Sequence, residues 1–290
     1  MQPDAFPPPD PATLAPDSAA TTSWPAEPLP SVHAPYSSLL YLPDPRVRWG
    51  LPTAVLTIVG IVLPLAVLIL LFGFGVLPYS AGLAFAGALA SYLVALIVPF
   101  AASRLRGLGT MAADFGLRFR WIDVPIGIGL GIAVRVVILF VLAAFAPLLQ
   151  DAQGNLDIDP DPLWFVLSSV LIPVVVAPLV EEVLCRGVVM RAVRNRMLRG
   201  SAESAPTRGR RVWAMVFSIL ASTAVFALLH GHQMVNPATI VTLGVTTVTA
   251  GLAHGWIATT TGRLGAAIVS HATLNGSAVL LLALLPLLTP

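Results

Sequence analysis

Residues Trp49 to Ser103 read WGLPTAVLTIVGIVLPLAVLILLFGFGVLPYSAGLAFAGALASYLVALIVPFAAS, 55 residues without one charged side chain. A helix needs about 20 residues, at roughly 1.5 Å each, to cross the hydrocarbon of a bilayer. The stretch is therefore too long for one crossing and suits two, with Pro78-Tyr79-Ser80 as the turn between them. Beyond it, further apolar spans are expected over Val124 to Leu149, from Pro162 onward, over Val212 to about Met234, over about Ala238 to Ala258, and over Leu264 to Leu288. The whole chain agrees with this reading: 57% of its 290 residues are hydrophobic and only 10% are charged, where a soluble domain carries about 25%. The expected fold is an all-α, polytopic membrane helix bundle of about seven transmembrane helices.

The charges that remain draw the topology. All 16 basic residues are arginine. Arg46 and Arg48 precede the first span; Arg104, Arg106, Arg118 and Arg120 separate the second from the third; seven arginines from Arg191 to Arg211 separate the fourth from the fifth; Arg263 separates the sixth from the seventh. These 14 fall on one side, and the loop with Asp151, Asp157, Asp159 and Asp161 falls on the other. By the positive-inside rule the arginine side is cytoplasmic, so the expectation is an integral protein of the cell (plasma) membrane with its N-terminus in the cytoplasm. A pI near 9.1 thus reports orientation and contact with membrane lipid, and does not point to nucleic acid. The single cysteine, Cys185, excludes an internal disulfide and a cysteine-rich metal centre. Residues 1–45 hold 12 of the 26 prolines, five acids and no base. They are expected to form a disordered tail without the basic and apolar regions of a signal peptide. Transmembrane helices are then expected within 46–150 and a second helical core within 160–290.

Three spans each carry one polar face. In Ala177-Pro178-Leu179-Val180-Glu181-Glu182-Val183-Leu184-Cys185-Arg186-Gly187, Glu182 and Arg186 are one helical turn apart and can pair, while Glu181 points about 100° away and is left free. Phe226 and His230 share a face with Ser218 and Ser222, residues small enough for close helix packing. His271 and Asn275 share a face in the last span. Ionisable groups inside a membrane are functional candidates, because the bilayer makes them costly. Glu181, His230 and His271 could hold a divalent metal such as zinc. The same groups with Asn275 could instead hold a water directly, with a carboxylate as base and side-chain donors at the developing oxyanion. Spacing alone leaves both open.

These motifs closely resemble the intramembrane proteases that include the type II CAAX prenyl endopeptidases and the bacteriocin-processing and immunity proteins, the CPBP or abortive-infection family. The family pattern is Glu-Glu-x-x-x-Arg, Phe-x-x-x-His and His-x-x-x-Asn on successive helices. It stands here as Glu181, Glu182 and Arg186, then Phe226 and His230, then His271 and Asn275, within about residues 160 to 280. The resemblance implies an endopeptidase that cuts a membrane-associated peptide or protein substrate, of the CAAX prenyl or leader-peptide kind. In it Glu181 and His230 would activate water, and His271 and Asn275 would stabilise the oxyanion or join a metal; Glu182, Arg186 and Phe226 would give structural support. Cys185 stands where members often carry an aromatic residue before the arginine, a difference expected to affect packing more than chemistry.

The competing reading is a non-enzymatic transporter or interaction and immunity protein that keeps the polar cluster as scaffold. His254 is expected to be an interhelical or interfacial histidine, His232 a solvated cap, and Arg135 the partner of a buried acid or carbonyl. One conflict is built into the count. With Arg191 taken as the membrane surface, Glu181 lies about 15 Å deep and His271 about 10 Å, whereas His230 lies some 27 Å along its span. A common site then requires tilt, a break at Pro173 or Pro178, or a deeper entry of the fifth span.

Overall fold

The computed structural model describes residues 43–149, 159–199 and 206–288. The expected tail therefore lies outside the described residues except for Pro43, Asp44 and Pro45, as do Asp151 and Asp157 of the acidic loop. The described residues are helical, with no strand among them. Seven helices are long and apolar enough to cross a membrane. They are α1 (Leu51–Gly73), α2 (Ala81–Arg106), α4 (Asp123–Ala143), α5 (Pro162–Leu198), α6 (Arg208–Leu229), α7 (Pro237–Thr261) and α8 (Gly265–Leu288), and the short α3 (Met111–Phe115) lies between α2 and α4. The protein is an all-α integral membrane protein, as its hydropathy predicts.

Local chemistry sets the helix ends. Ser80 caps α2 by accepting from the Leu83 amide. Asp161 accepts from Leu163 and Trp164 at the start of α5, where Pro162 sits in the first turn. Asn236 and Thr239 cap each other reciprocally at the start of α7, which ends at Gly262 with φ +67°, a conformation that suits glycine.

Helix α5 is one 37-residue element, but its turns widen to π-helical geometry over Phe165–Val176 and again over Val183–Val189. The first stretch contains Pro173, whose missing N–H removes a normal helix bond. Around α5, α1 pairs with α2, α6 with α7, and α4 runs along α8 and also meets α7. All the helices belong to one compact unit, in which the spans before residue 150 meet those after 160 through α4 on α8 and α7 and through α1 and α2 on α5.

The α4–α8 seam depends on small residues at four-residue spacing. A Cβ at Gly127 would stand 2.5 Å from Val269, and one at Gly131 would stand 2.6 Å from the Ser270 carbonyl oxygen. One turn further on, Arg135 donates to Ser277 Oγ at 3.1 Å and to the Leu274 carbonyl. The intramembrane arginine is thus satisfied by a carbonyl and a hydroxyl, and it ties α4 to the segment of α8 that carries Asn275.

The arginines are not all surface markers. Arg191 and Arg194 are both 4% exposed, and Arg191 donates to the backbone carbonyls of Asp114 and Gly262. Arg263 pairs with the fully buried Asp123. This narrows the depth conflict. Helix α5 runs seven residues beyond Arg191, about 10 Å at the helical rise, and the turn before α8 is bonded to Arg191 at that same inner level. Adding that length moves Glu181 to about 25 Å and His271 to about 20 Å, toward the level of His230.

Candidate active site

Every donor of the central cluster converges on one oxygen. Glu182 is fully buried, and its Oε1 accepts from Arg186 Nη1 at 2.9 Å, from His254 Nδ1 at 3.1 Å and from His271 Nδ1 at 3.0 Å. Arg186 reaches it from the next turn of α5, His254 from α7 and His271 from α8. A carboxylate only accepts, so both imidazoles present Nδ1–H to it. His254 Nε2 then accepts from Ser270 Oγ at 3.1 Å. Arg186 also donates to the Gly251 carbonyl at 3.1 Å, and its guanidinium lies 4.9 Å from the centre of the Phe226 ring. Gly251 is required there, because a Cβ would stand 2.6 Å from Thr223 Cγ2 on α6. The pair that the four-residue spacing predicts is therefore present, and His254 is its fully buried interhelical partner.

Glu181 faces the other way, into a cavity of about 530 Å³ that it shares with His230, Asn275 and Tyr92. Tyr92, on α2, donates its hydroxyl to Glu181 Oε1 at 3.3 Å. The second carboxylate oxygen, Oε2, lies 3.8 Å from His271 Nε2, a spacing wide enough for a bridging water. His230 gives its Nδ1–H to the Phe226 carbonyl at 2.9 Å, which leaves the Nε2 lone pair free. Asn275 uses one N–H on the Pro173 carbonyl at 2.7 Å and keeps a second to give. Its partner belongs to the π-helical stretch, so the broken helix geometry supplies an acceptor at membrane depth. Phe226 stands edge-on to both His230 and His271, with ring centres 5.0 and 5.4 Å away.

The buried trio Glu182, His254 and His271 has ligand atoms within 4.8 Å of one another, so its spacing could hold a metal ion. It differs from the trio Glu181, His230 and His271 expected from the sequence, which the structure does not assemble into such a group. The charge balance of the buried trio disfavours a cation. Glu182 is already paired with Arg186, and its bonded oxygen holds three donors, so a divalent ion would bring uncompensated positive charge against a guanidinium in a dry interior.

Two residues at this site carry no legible sequence signal. His254 has no motif partner in the chain, and Tyr92 lies in a span with no charged residue to draw the eye. Of the others, Ser222 donates to the Cys185 carbonyl at 2.9 Å, which packs the small face of α6 on α5. His232 is exposed on the surface, with Nδ1 bonded to the Leu229 carbonyl.

Residues 162–277, the segment that holds Glu181, His230, His271 and Asn275, match the family model described as type II CAAX prenyl endopeptidase Rce1-like. No curated protein and no solved structure matches the chain.

Proposed function

We propose, on the premise that residues 162–277 belong to the Rce1-like family of type II CAAX prenyl endopeptidases, that the protein hydrolyses a peptide bond in a membrane-associated substrate by means of a water activated by Glu181. The observation that carries this reading is the cavity in which Glu181, His230 and Asn275 meet, with Glu182 and Arg186 bonded behind it.

The two adjacent glutamates divide the work. Glu182 is held by three donors and serves as a fixed negative anchor. Glu181 has one oxygen on Tyr92, and the other is open toward His271. A water between Glu181 and His230 gives its proton to the carboxylate while its oxygen attacks the scissile carbonyl carbon. The carbonyl π electrons move to oxygen, where the second N–H of Asn275 receives the charge. His271 joins as a donor only when Nε2 also carries a proton, and the resulting charge is faced by Glu182 through Nδ1. Collapse of the intermediate breaks the C–N bond, and the proton held by Glu181 passes to the departing amine nitrogen. No step runs through a metal. The substrate enters from the lipid, in a membrane whose cytoplasmic face carries the arginines.

The test is cleavage by the full-length protein in nanodiscs, scored with a quenched prenylated CAAX-type peptide and, for other substrates, by comparing the membrane proteomes of cells carrying the parent or Glu181→Gln. The expected result is loss of at least about 10²-fold, the lower end of what a general base contributes, with the variant still inserted and monodisperse. Undiminished cleavage by Glu181→Gln would overturn the mechanism. A transporter or scaffold role predicts no product in either sample.

A further inference from the structure

A second cavity, of about 280 Å³, lies at the arginine-rich end of α1, α2 and α5, and Arg48, Arg106, Arg196 and Arg199 line it. Among the described residues, no carboxylate contributes to its wall. Arg199 is fixed in place by donating to the carbonyls of Val47 and Trp49. The Arg48 amide donates to the Arg106 carbonyl at 2.7 Å, which holds the start of α1 against the end of α2. The side chains of Arg48, Arg106 and Arg196 are exposed. The first turn of α1 also forms part of this wall, through Leu51 and Thr53, and Gly50 before it offers no side-chain cap. The positive end of a 23-residue helix thus adds to four guanidinium groups around one concavity.

We infer that this cavity binds a phosphoryl group, carried by an anionic phospholipid headgroup or by a free phosphate. Four like charges around one space repel one another until an anion enters. A carboxylate offers two oxygens in one plane. A tetrahedral phosphoryl group presents its oxygens in several directions and suits guanidinium forks that come from the ends of α2 and α5 and from the segment before α1. The cavity is open at the end of the bundle where the spans leave the apolar layer, the level of lipid headgroups. It is separate from the catalytic cavity, because Arg196 lies 15 residues beyond Glu181 on α5, roughly 20 Å along the helix.

The test compares thermal unfolding of the full-length protein in nanodiscs of phosphatidylcholine alone, of phosphatidylcholine with phosphatidylglycerol, and of phosphatidylcholine with added inorganic phosphate. The parent should melt at least about 3 °C higher with phosphatidylglycerol or with phosphate; the first result identifies a headgroup as the source and the second a free anion. Arg106→Gln with Arg196→Gln removes two exposed guanidinium groups and should abolish the rise. Arg104→Gln with Arg208→Gln, on the same side but outside the cavity, should retain it. No rise in either arm, a rise that survives in the Arg106/Arg196 variant, or equal loss in both variants would overturn the inference.

Discussion

Replacing Glu182 by glutamine isolates the charge of the central anchor from its shape. The amide keeps a carbonyl oxygen where Oε1 now accepts from Arg186, His254 and His271. Its NH₂ group falls where Oε2 has no hydrogen-bond partner. The negative charge is lost, two buried N–H donors without an acceptor are added, and Arg186, with no exposed surface, becomes an uncompensated buried cation. Breaking a buried pair in this way costs about 3–5 kcal/mol, or roughly two to three and a half decades in the folding equilibrium at about 1.4 kcal/mol per decade. Arg186→Met alone strands the carboxylate instead and should cost a similar amount. The double variant Glu182→Gln/Arg186→Met removes both charges and keeps the volume, so its loss should fall below that of either single variant, the remainder coming from the unpaired amide and the lost bonds to Gly251 and the Phe226 ring. The two changes should therefore couple by several kcal/mol. The assay is reversible denaturant unfolding in micelles, followed by tryptophan fluorescence. A Glu182→Gln variant within about 0.5 kcal/mol of the parent, or a double variant as unstable as the two single losses added, would refute the reasoning. Cleavage should stay lost in the double variant, because His271 would face an uncharged partner.

Two further substitutions probe the surroundings of the cluster. Tyr92→Phe removes a hydroxyl bonded to Glu181; a hydrogen bond to a charged group contributes about 1.5–3 kcal/mol to stability, so the melting temperature should fall by several degrees and kcat should fall as the base loses its orientation, and an unchanged kcat would exclude Tyr92 from positioning the base. Gly251→Ala drives a Cβ against Thr223 and should destabilise the protein by about 1–3 kcal/mol as α6 and α7 move apart; a melting curve that coincides with the parent's would show that this approach relaxes freely.

The spans were legible because hydropathy answers directly to the bilayer. The 55 uncharged residues from Trp49 to Ser103 had to be divided, and the division falls at the proline and serine that end up between α1 and α2. The pairing of Glu182 with Arg186 was legible for a similar reason, since four residues make one turn whatever surrounds the helix. The position of Arg191 was not. An arginine after an apolar run signals the membrane surface only if lipid or water surrounds it, and Arg191 is enclosed by α3 and the α7–α8 turn, whose carbonyls replace the solvent. His254 and Tyr92 were hidden because their roles come from helix packing: one is brought to Glu182 by the close approach of α7, the other to Glu181 from a helix about ninety positions earlier in the chain. The metal trio drawn from the motifs changed for the same reason, because adjacent glutamates point about 100° apart on the helix, and His254 and His271 bond to Glu182.

The walls of the catalytic cavity come from two sources. Glu181, His230 and Asn275 lie on α5, at the end of α6 and on α8, within the family-matched segment, whereas Ala81, Ala84, Phe85, Ala88 and Tyr92 line it from α2, outside that segment. On the proposed reading, the reacting groups and the α2 face that would meet the substrate are encoded in separate stretches of the gene. A change on the alanine-lined face of α2 can widen or narrow the entrance without moving a single donor of the Glu182 anchor. If the proposed hydrolysis takes place in this cavity, α2 would be an exchangeable mould through which one core is fitted to different substrates.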